Sequence, residues 1–432
     1  MSDLEKPNIS VKRSTSRRSA VSWNLLSVIF CGICGFLLLM IVGGWYGPAI
    51  FGAFNQVYAW YIVFSQLGAF GIHLSMVKHL AENDDSVERR RIVFVSGMGL
   101  SFVLGLFFAI LLWILGTPVG RFLDSPDVGY GIQVASFGVF FFSMNKCLLF
   151  SLNGLSLLKE YALFQMLRYA LMLAALFVLI LSGVDGRHVP FLFPVAEGCL
   201  FLSLVFFFRR DFSYDEAVSQ KVKEWVRYHF RFGSKAFTGH ILLDLNTRVD
   251  VLFLGFFTDD KTVGIYSMAA ILAEAALQLP LVFRTVYTPT IVKCLAGRRF
   301  EELSALVRGT RMRMWGLMLF VSVAGYLFVD TLLPLLTGRA EYRAAAPLYL
   351  ILMAGITVAS GYVPFGLILV NGGFPGVQSL MVVLIVTTNT LGNLFLIPFW
   401  GNMGAAVATT LANILSVVLL KFFARRCLCV SV

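Results

Sequence analysis

From residue 22 to residue 422 the chain repeats one element, an apolar run of about twenty residues closed by a short polar joint. A helix of that length crosses a hydrocarbon core ~30 Å thick. In lipid every backbone N–H and C=O must be satisfied within the chain, which leaves helices or closed barrels as the only options. About twelve runs are expected, at 22–44, 49–73, 92–115, 129–151, 162–183, 188–208, 232–257, 262–288, 313–336, 347–370, 376–398 and 402–422. The fold class predicted is therefore an all-α polytopic membrane protein. Charge content agrees: 14% of residues are charged, against about a quarter in soluble domains. The stretches 49–73 and 262–288 are longer than a straight crossing needs, so they are expected to tilt or to extend past the bilayer. The first run follows a basic segment and has no small-x-small cleavage site, so it is expected to stay as a helix.

The formal net charge is +11, but its placement argues for topology and against nucleic acid. Lys and Arg gather in alternate joints. One side takes Lys6, Lys12, Arg13, Arg17 and Arg18, then Lys78 with Arg89, Arg90 and Arg91, then the stretch from Arg209 to Arg231. The same side takes the cations from Lys293 to Arg313 and finally Arg425 and Arg426. The other receives Arg121, Arg187, Lys261, Arg339 and Arg343. By the positive-inside rule both termini are cytoplasmic. The seven cysteines include a C-x-x-C at Cys31 and Cys34, within the first run, and a pair at Cys427 and Cys429. Neither pair belongs to a four-ligand set, so no metal is expected.

Short stretches recur at half the chain length. VKHLA at 77–81 returns as VKCLA at 292–296, FFFRR at 206–210 as FFARR at 422–426, LNG at 152–154 as VNG at 370–372, and IFGAF at 50–54 as TVGIY at 262–266. Their offsets, 215, 216, 218 and 212, keep the same order along both halves. Six spans per half put the halves in the membrane the same way up, as parallel repeats whose substrate sites lie at the repeat interface. The expected organisation is a basic tail (1–21), an N-terminal lobe (22–208), a cytoplasmic interfacial linker (209–231), a C-terminal lobe (232–422) and a second tail (423–432). The linker carries Val218, Val222, Trp225 and Val226 on one helical face.

The stretches GWYGPAIFGAFNQVYAWYIVFSQLGAFGIHLSMVKHLA at 44–81 and TRVDVLFLGFFTDDKTVGIYSMAAILAEAALQLP at 247–280, with GNMGAAVATTLANILSVV at 401–418, carry a family resemblance. The chain resembles the polysaccharide-unit flippases, the Wzx-type translocases of O-antigen and other lipid-linked oligosaccharides. These belong to the multidrug/oligosaccharidyl-lipid/polysaccharide exporter superfamily. The resemblance implies two pseudo-symmetric, MATE-like six-helix lobes around a central cavity in the bacterial cytoplasmic (inner) membrane. It implies a polyprenyl-pyrophosphate-linked oligosaccharide as cargo, membrane lipids as surroundings, and a polysaccharide polymerase or assembly proteins as partners.

Ionisable residues inside spans are costly and face protein or water by default. The cations are Lys146, Arg168, Lys235, Arg248 and Arg284; the acids are Glu197, Asp244, Asp250 and Glu274. With the topology above, Lys146, Arg168, Lys235 and Arg284 fall in the cytoplasmic third. Glu197, Asp244 and Glu274 fall near the middle, with Arg248 one turn farther out. Cations at that depth suit a diphosphate entering from the cytoplasmic leaflet. Lys146, Arg168, Arg248 and Arg284 are accordingly the candidate cavity residues, and Asp244, Glu197 and Glu274 the candidate coupling or gating residues. Snorkelling to the headgroups is the alternative, strongest for Lys235 and weaker for Arg284. In the second half Pro364 and Val386 stand where Lys146 and Arg168 stand in the first, so the lobes differ in chemistry. His240, Asp244 and Arg248 follow i, i+4, i+8 spacing and would share one face of a continuous helix. A structural Asp–Arg pair is the alternative to a switch there. Asp250 lies nearer the outer end, where a plain interfacial role and any other weigh equally.

No G-x-x-x-x-G-K-[ST] loop and no H-E-x-x-H occur. An enzyme is not expected, nor any cofactor, and transport would draw on an ion gradient (H+ or Na+), the membrane potential or downstream consumption of the cargo. Three rivals remain. An organic-cation exporter would favour an acidic or aromatic cavity. A glycan polymerase or ligase would need a substantial external loop. A peptidoglycan-precursor flippase would be expected to carry two more spans.

Overall fold

The computed structural model describes residues 17–83, 86–209, 216–428 and 430, and their side chains apart from 17–21, 216–220, 236 and 238–244. Among these residues there is no strand. The first half runs through α1 (Arg17–Tyr46), α2 (Pro48–Ala69), α3 (Ile72–Glu82), α4 (Val87–Phe122), α5 (Pro126–Gly154), α6 (Leu158–Leu181) and α7 (Leu192–Phe208). The second runs through α8 (Glu216–Asn246), α9 (Val249–Phe257), α10 (Asp260–Ala296), α11 (Phe300–Leu327), α12 (Leu333–Thr337), α13 (Ala345–Ser360), α14 (Ile368–Asn371) and α15 (Pro375–Leu428).

Among the described residues nine helices are long and apolar enough to span, or ten if α2 and α3, bent by 42°, form one broken span. The expected count of twelve differs for local reasons. The run 49–73 is not one tilted helix, because Phe70 (φ 41°) and Gly71 (φ 70°) break it. Glycine is required at 71, since a Cβ there would lie 2.9 Å from the carbonyl oxygen of Gly233. The run 232–257 is split between α8 and α9. The runs 376–398 and 402–422 fall together in α15, which turns at Gly401 (φ 55°, ψ −132°) just after Pro398. The run 262–288 does extend, within a helix of 37 residues. Residues 210–215 of the expected linker lie outside the described residues, and from Glu216 the linker continues as the first turns of α8.

Contacts divide the chain into two compact units. Of the described residues, one comprises those within 17–38, 61–115 and 132–238; the other comprises those within 39–60, 116–131 and 239–430. The core of the first is built from Met76, Phe94, Met98, Leu148, Leu152, Leu204 and Phe208, on α3, α4, α5 and α7. The core of the second includes Ile291, Leu303, Val307, Tyr362, Phe365, Met381 and Leu420. Within the second unit α2 crosses α10 at Gly52 and Gly264, and Asp260 accepts hydrogen bonds from Gln56 Nε2 and Ser125 Oγ, each at 2.6 Å.

Candidate functional site

In the first unit three neighbouring helices bring together Lys146 and Asn145 (α5), Arg168 (α6) and Glu197 (α7). The Glu197 side chain is fully buried. Its Oε2 accepts from Asn145 Nδ2 at 2.7 Å and from Arg168 Nη2 at 3.2 Å. Asn145 Nδ2 also reaches the Glu197 backbone carbonyl at 2.8 Å, which ties α5 to α7. Arg168 Nε stands 2.9 Å from Glu197 Oε1. That N–H is not aligned for a hydrogen bond, so the contact is coulombic. A charge buried this deeply is tolerable only when paired; removing one partner of such a pair costs about 3–5 kcal/mol. Phe142, one turn before Lys146, offers its ring to both cations, Arg168 at 4.9 Å and Lys146 at 5.9 Å. Lys146 Nζ also donates to Gln66 Oε1 on α2.

The cluster therefore carries two positive charges and one negative. Glu197, one of the expected coupling residues, lies against Arg168 and orients its guanidinium. Two of the guanidinium nitrogens are directed at this carboxylate, and the guanidinium and the lysine ammonium are the donor groups of the cluster.

In the second unit the expected continuous face of His240, Asp244 and Arg248 does not form. Helix α8 ends at Asn246, and Arg248 is the N-cap of α9 with φ −129°. The side chains of His240 and Asp244 lie outside the described residues. The Arg248 guanidinium covers the Tyr58 ring at 4.9 Å, and Glu274 on α10 lies in the field of Arg248 and Asp250. Asp250 is not a plain interfacial residue: its Oδ2 accepts from Tyr266, which is completely buried, and its Oδ1 accepts from the Val251 N–H at 2.9 Å.

Close to this acidic group runs a set of neutral polar side chains that charge counting misses. Asn389 Nδ2 donates to Asn246 Oδ1 at 3.3 Å, Asn393 to the Asn389 carbonyl at 3.0 Å, and Thr409 to Asn389 Oδ1 at 3.5 Å. Two asparagines four residues apart in an apolar helix were the available signal, because unsatisfied amides are costly there.

The remaining candidates join neither group. Lys235 is exposed and Arg284 half-buried, and among the described residues no carboxylate lies within 4 Å of either. Nor does any group of three His, Cys, Asp or Glu suited to a metal ion occur among them. An apolar cleft of about 320 Å³, lined by Leu272, Ala276, Phe320, Phe328 and Tyr349 among others, offers nothing to hold a charge.

The profile of a family described as "Polysaccharide biosynthesis protein" matches residues 18–295. No curated sequence matches the chain. Solved structures share the fold. A lipid II flippase, MurJ, in an inward closed conformation is 14% identical, with TM-score 0.70, over 94% of this chain and 87% of that one. An inward-facing multidrug resistance MATE family transporter of the MOP superfamily is 14% identical, with TM-score 0.67, over 94% and 97%. A MOP superfamily transporter from Pyrococcus furiosus, described as having a binding pocket of reverse polarity, is 13% identical, with TM-score 0.55, over 95% of each chain.

Proposed function

Since the chain belongs to the polysaccharide biosynthesis protein family, we propose that it is a flippase for polyprenyl-pyrophosphate-linked oligosaccharide. The cargo moves from the cytoplasmic to the outer leaflet of the bacterial inner membrane, and both termini are cytoplasmic. The supporting observation is the net-positive cluster at Phe142, where Lys146 and Arg168 are held on three packed helices of an otherwise apolar unit. Charge-assisted bonds from a guanidinium and an ammonium suit the two phosphates of such a cargo. Glu197 prevents the guanidinium from swinging to the headgroups, so it meets the phosphate already oriented.

An organic cation would be repelled by the same cluster, which disfavours the multidrug reading. A glycan polymerase would need catalytic groups against the sugar, and the charges described here sit within the spans. Energy for the step comes from H+, Na+ or the membrane potential, acting on the acids Asp244 and Glu274. A polymerase working on the outer leaflet is the natural consumer of the product.

Reconstitution tests the reading. In proteoliposomes carrying a fluorescent polyprenyl-pyrophosphate oligosaccharide, the wild-type protein should expose the glycan to an external glycosidase or quencher. The Lys146→Ala, Arg168→Ala double variant should not. Equal translocation by that variant, or active transport of an organic cation with none of the glycolipid, would overturn it.

A further inference from the structure

Elsewhere in the second unit, helices converge on one buried phenol. Tyr362 follows the end of α13 and is 3% exposed. From α11, Arg311 donates through Nη1 to the Tyr362 hydroxyl at 3.2 Å. From α15, the Lys421 ammonium stands 4.7 Å from the centroid of the same ring. The guanidinium lies 5.3 Å from the Trp315 ring, and Trp315 Nε1 is tied to the Val358 carbonyl at 3.3 Å. Gly361 makes the arrangement possible: a Cβ there would lie 2.7 Å from Arg311 Cγ and 3.0 Å from Trp315 Nε1.

Two cations on different helices near a polar boundary would ordinarily extend apart into water or headgroups. Here both stand at one neutral group, the Tyr362 phenol. Among the described residues no carboxylate lies within 4 Å of either; Glu302, at the start of α11, is engaged by Arg299 at 3.0 Å. Arg311 Nε is buried without a hydrogen-bond partner. The hydroxyl that accepts from Arg311 keeps its own proton to donate. A planar guanidinium, an ammonium and a phenolic O–H around one point form a donor set complementary to a phosphate oxygen. The neighbourhood is right for a headgroup too. Arg308, Arg425 and Arg426 lie one turn or so farther along the same helices, and Trp and Tyr favour the boundary between hydrocarbon and headgroups.

We propose that Arg311, Tyr362 and Lys421 form a binding site for a phosphate-bearing headgroup, separate from the Lys146–Arg168 cluster. The phosphate belongs either to an anionic membrane lipid or to the diphosphate of a lipid-linked glycan. The inference stands on this geometry and holds whatever the cargo is.

The full-length protein in nanodiscs of zwitterionic lipid is titrated with inorganic pyrophosphate. In parallel, nanodiscs containing phosphatidylglycerol are analysed by native mass spectrometry for retained lipid. The wild type should hold at least one probe. Lys421→Gln should weaken that binding roughly tenfold, the loss of one charge-assisted bond, and adding Arg311→Gln should abolish it. Tyr362→Phe, which keeps both cations, should give an intermediate loss. Retention of phosphatidylglycerol alone identifies a membrane-lipid site; pyrophosphate binding lost with the same variants identifies a diphosphate site. Lys421 is exposed, so its variant folds and decides the matter even where Arg311→Gln does not. Wild-type binding of neither probe, or full binding by a monodisperse Lys421→Gln protein, would overturn the proposal.

Discussion

Gly52 and Gly264 stand against each other where α2 crosses α10, and neither position has room for a side chain. A Cβ on Gly52 would lie 1.7 Å from the Asp260 carbonyl oxygen, and a Cβ on Gly264 would lie 1.8 Å from that of Pro48. Each glycine thus touches the carbonyl four residues before the other. The contact is two-fold related, and the two residues are the central glycines of IFGAF and TVGIY, equivalent positions of the sequence repeat. Small residues at a membrane crossing let backbones approach closely enough for dispersion and weak hydrogen bonds to hold them. Gly52→Ala and Gly264→Ala should each destabilise the protein by about 1–3 kcal/mol, the usual range for overpacking. Thermal unfolding in detergent reads this directly. Gly99→Ala, with nothing within 4 Å of the added carbon, is the control and should leave the midpoint unchanged or slightly raised.

The Arg168–Glu197 pair separates orientation from charge. Glu197→Gln removes the negative charge but keeps an acceptor for Asn145 and Arg168, so the variant should fold with a modest loss of stability. Glu197→Ala strands a buried guanidinium and should cost about 3–5 kcal/mol. Arg168→Lys should keep part of the transport, because charge survives while the planar fork is lost. Melting midpoints alongside translocation rates check all three; a Glu197→Ala protein as stable as the wild type would remove the pair from its structural role.

His229 makes docking of the first turns of α8 sensitive to acid. The ring is completely buried, with Nδ1 2.8 Å from Ser75 Oγ and Nε2 3.2 Å from the Val93 carbonyl. His79, itself 2.8 Å from Glu82, faces it with ring centroids 6.4 Å apart. On the flanks Lys78 lies over Phe232, and Lys221 pairs with Glu88 at 3.5 Å. Burial pushes the His229 pKa down from 6.5 to about 4, with the proximity of His79 adding to the effect and the Val93 carbonyl opposing it. Between those values the undocked ring takes up a proton that the docked ring refuses. Docking is therefore fully stable above pH 6.5 and loses about 3 kcal/mol as pH falls to about 4. Protease cleavage within residues 221–231 should rise over that window, and His229→Gln should flatten the dependence.

Long-range order was legible in the sequence where it follows from length, charge asymmetry and repetition. Those signals are additive over many residues. They gave the all-α membrane class, and the central glycines of one repeat pair meet at a helix crossing. What stayed hidden was local and pairwise. Breaks at Phe70–Gly71, at Arg248 and at Gly401 depend on single backbone angles, which apolar run length does not register. Lys146, Arg168 and Glu197 were singled out separately, but their mutual pairing needs three helices in register. Asp250 was undervalued because its partner, Tyr266, is one apolar-looking residue among many.

Topology gives a prediction independent of any cargo. In a cysteine-free background, Lys223→Cys should stay unlabelled by an impermeant maleimide added to intact cells, whereas Asp124→Cys should be labelled. Both side chains are exposed, so access depends on the side of the membrane. Labelling of Lys223→Cys from outside would invert the chain and move the Lys146–Arg168 cluster to the outer half.

The acids around Arg248 provide the test of coupling. Left facing lipid, Asp244, Arg248 and Asp250 would cost roughly 8–10 kcal/mol together, so each needs a partner or water. Asp250 has one in Tyr266, and a carboxylate held by a buried phenol at a helix start is a fixed part of the unit. If Asp244 is the group that takes up and releases a proton as the transporter alternates, it should tolerate neutralisation and Asp250 should not. Asp244→Asn should reach normal abundance, transport slowly, and lose its dependence on external pH. Asp250→Asn exchanges a charge-assisted bond from Tyr266 for a neutral one, and it should lower abundance or melting midpoint with a proportionate loss of transport. Proteoliposome translocation measured across pH for both variants, normalised to inserted protein, separates the roles. Normal, pH-responsive transport by a well-inserted Asp244→Asn protein would end the assignment of coupling to that residue. The same result for Asp250→Asn would show that Tyr266 holds its neutral form equally well.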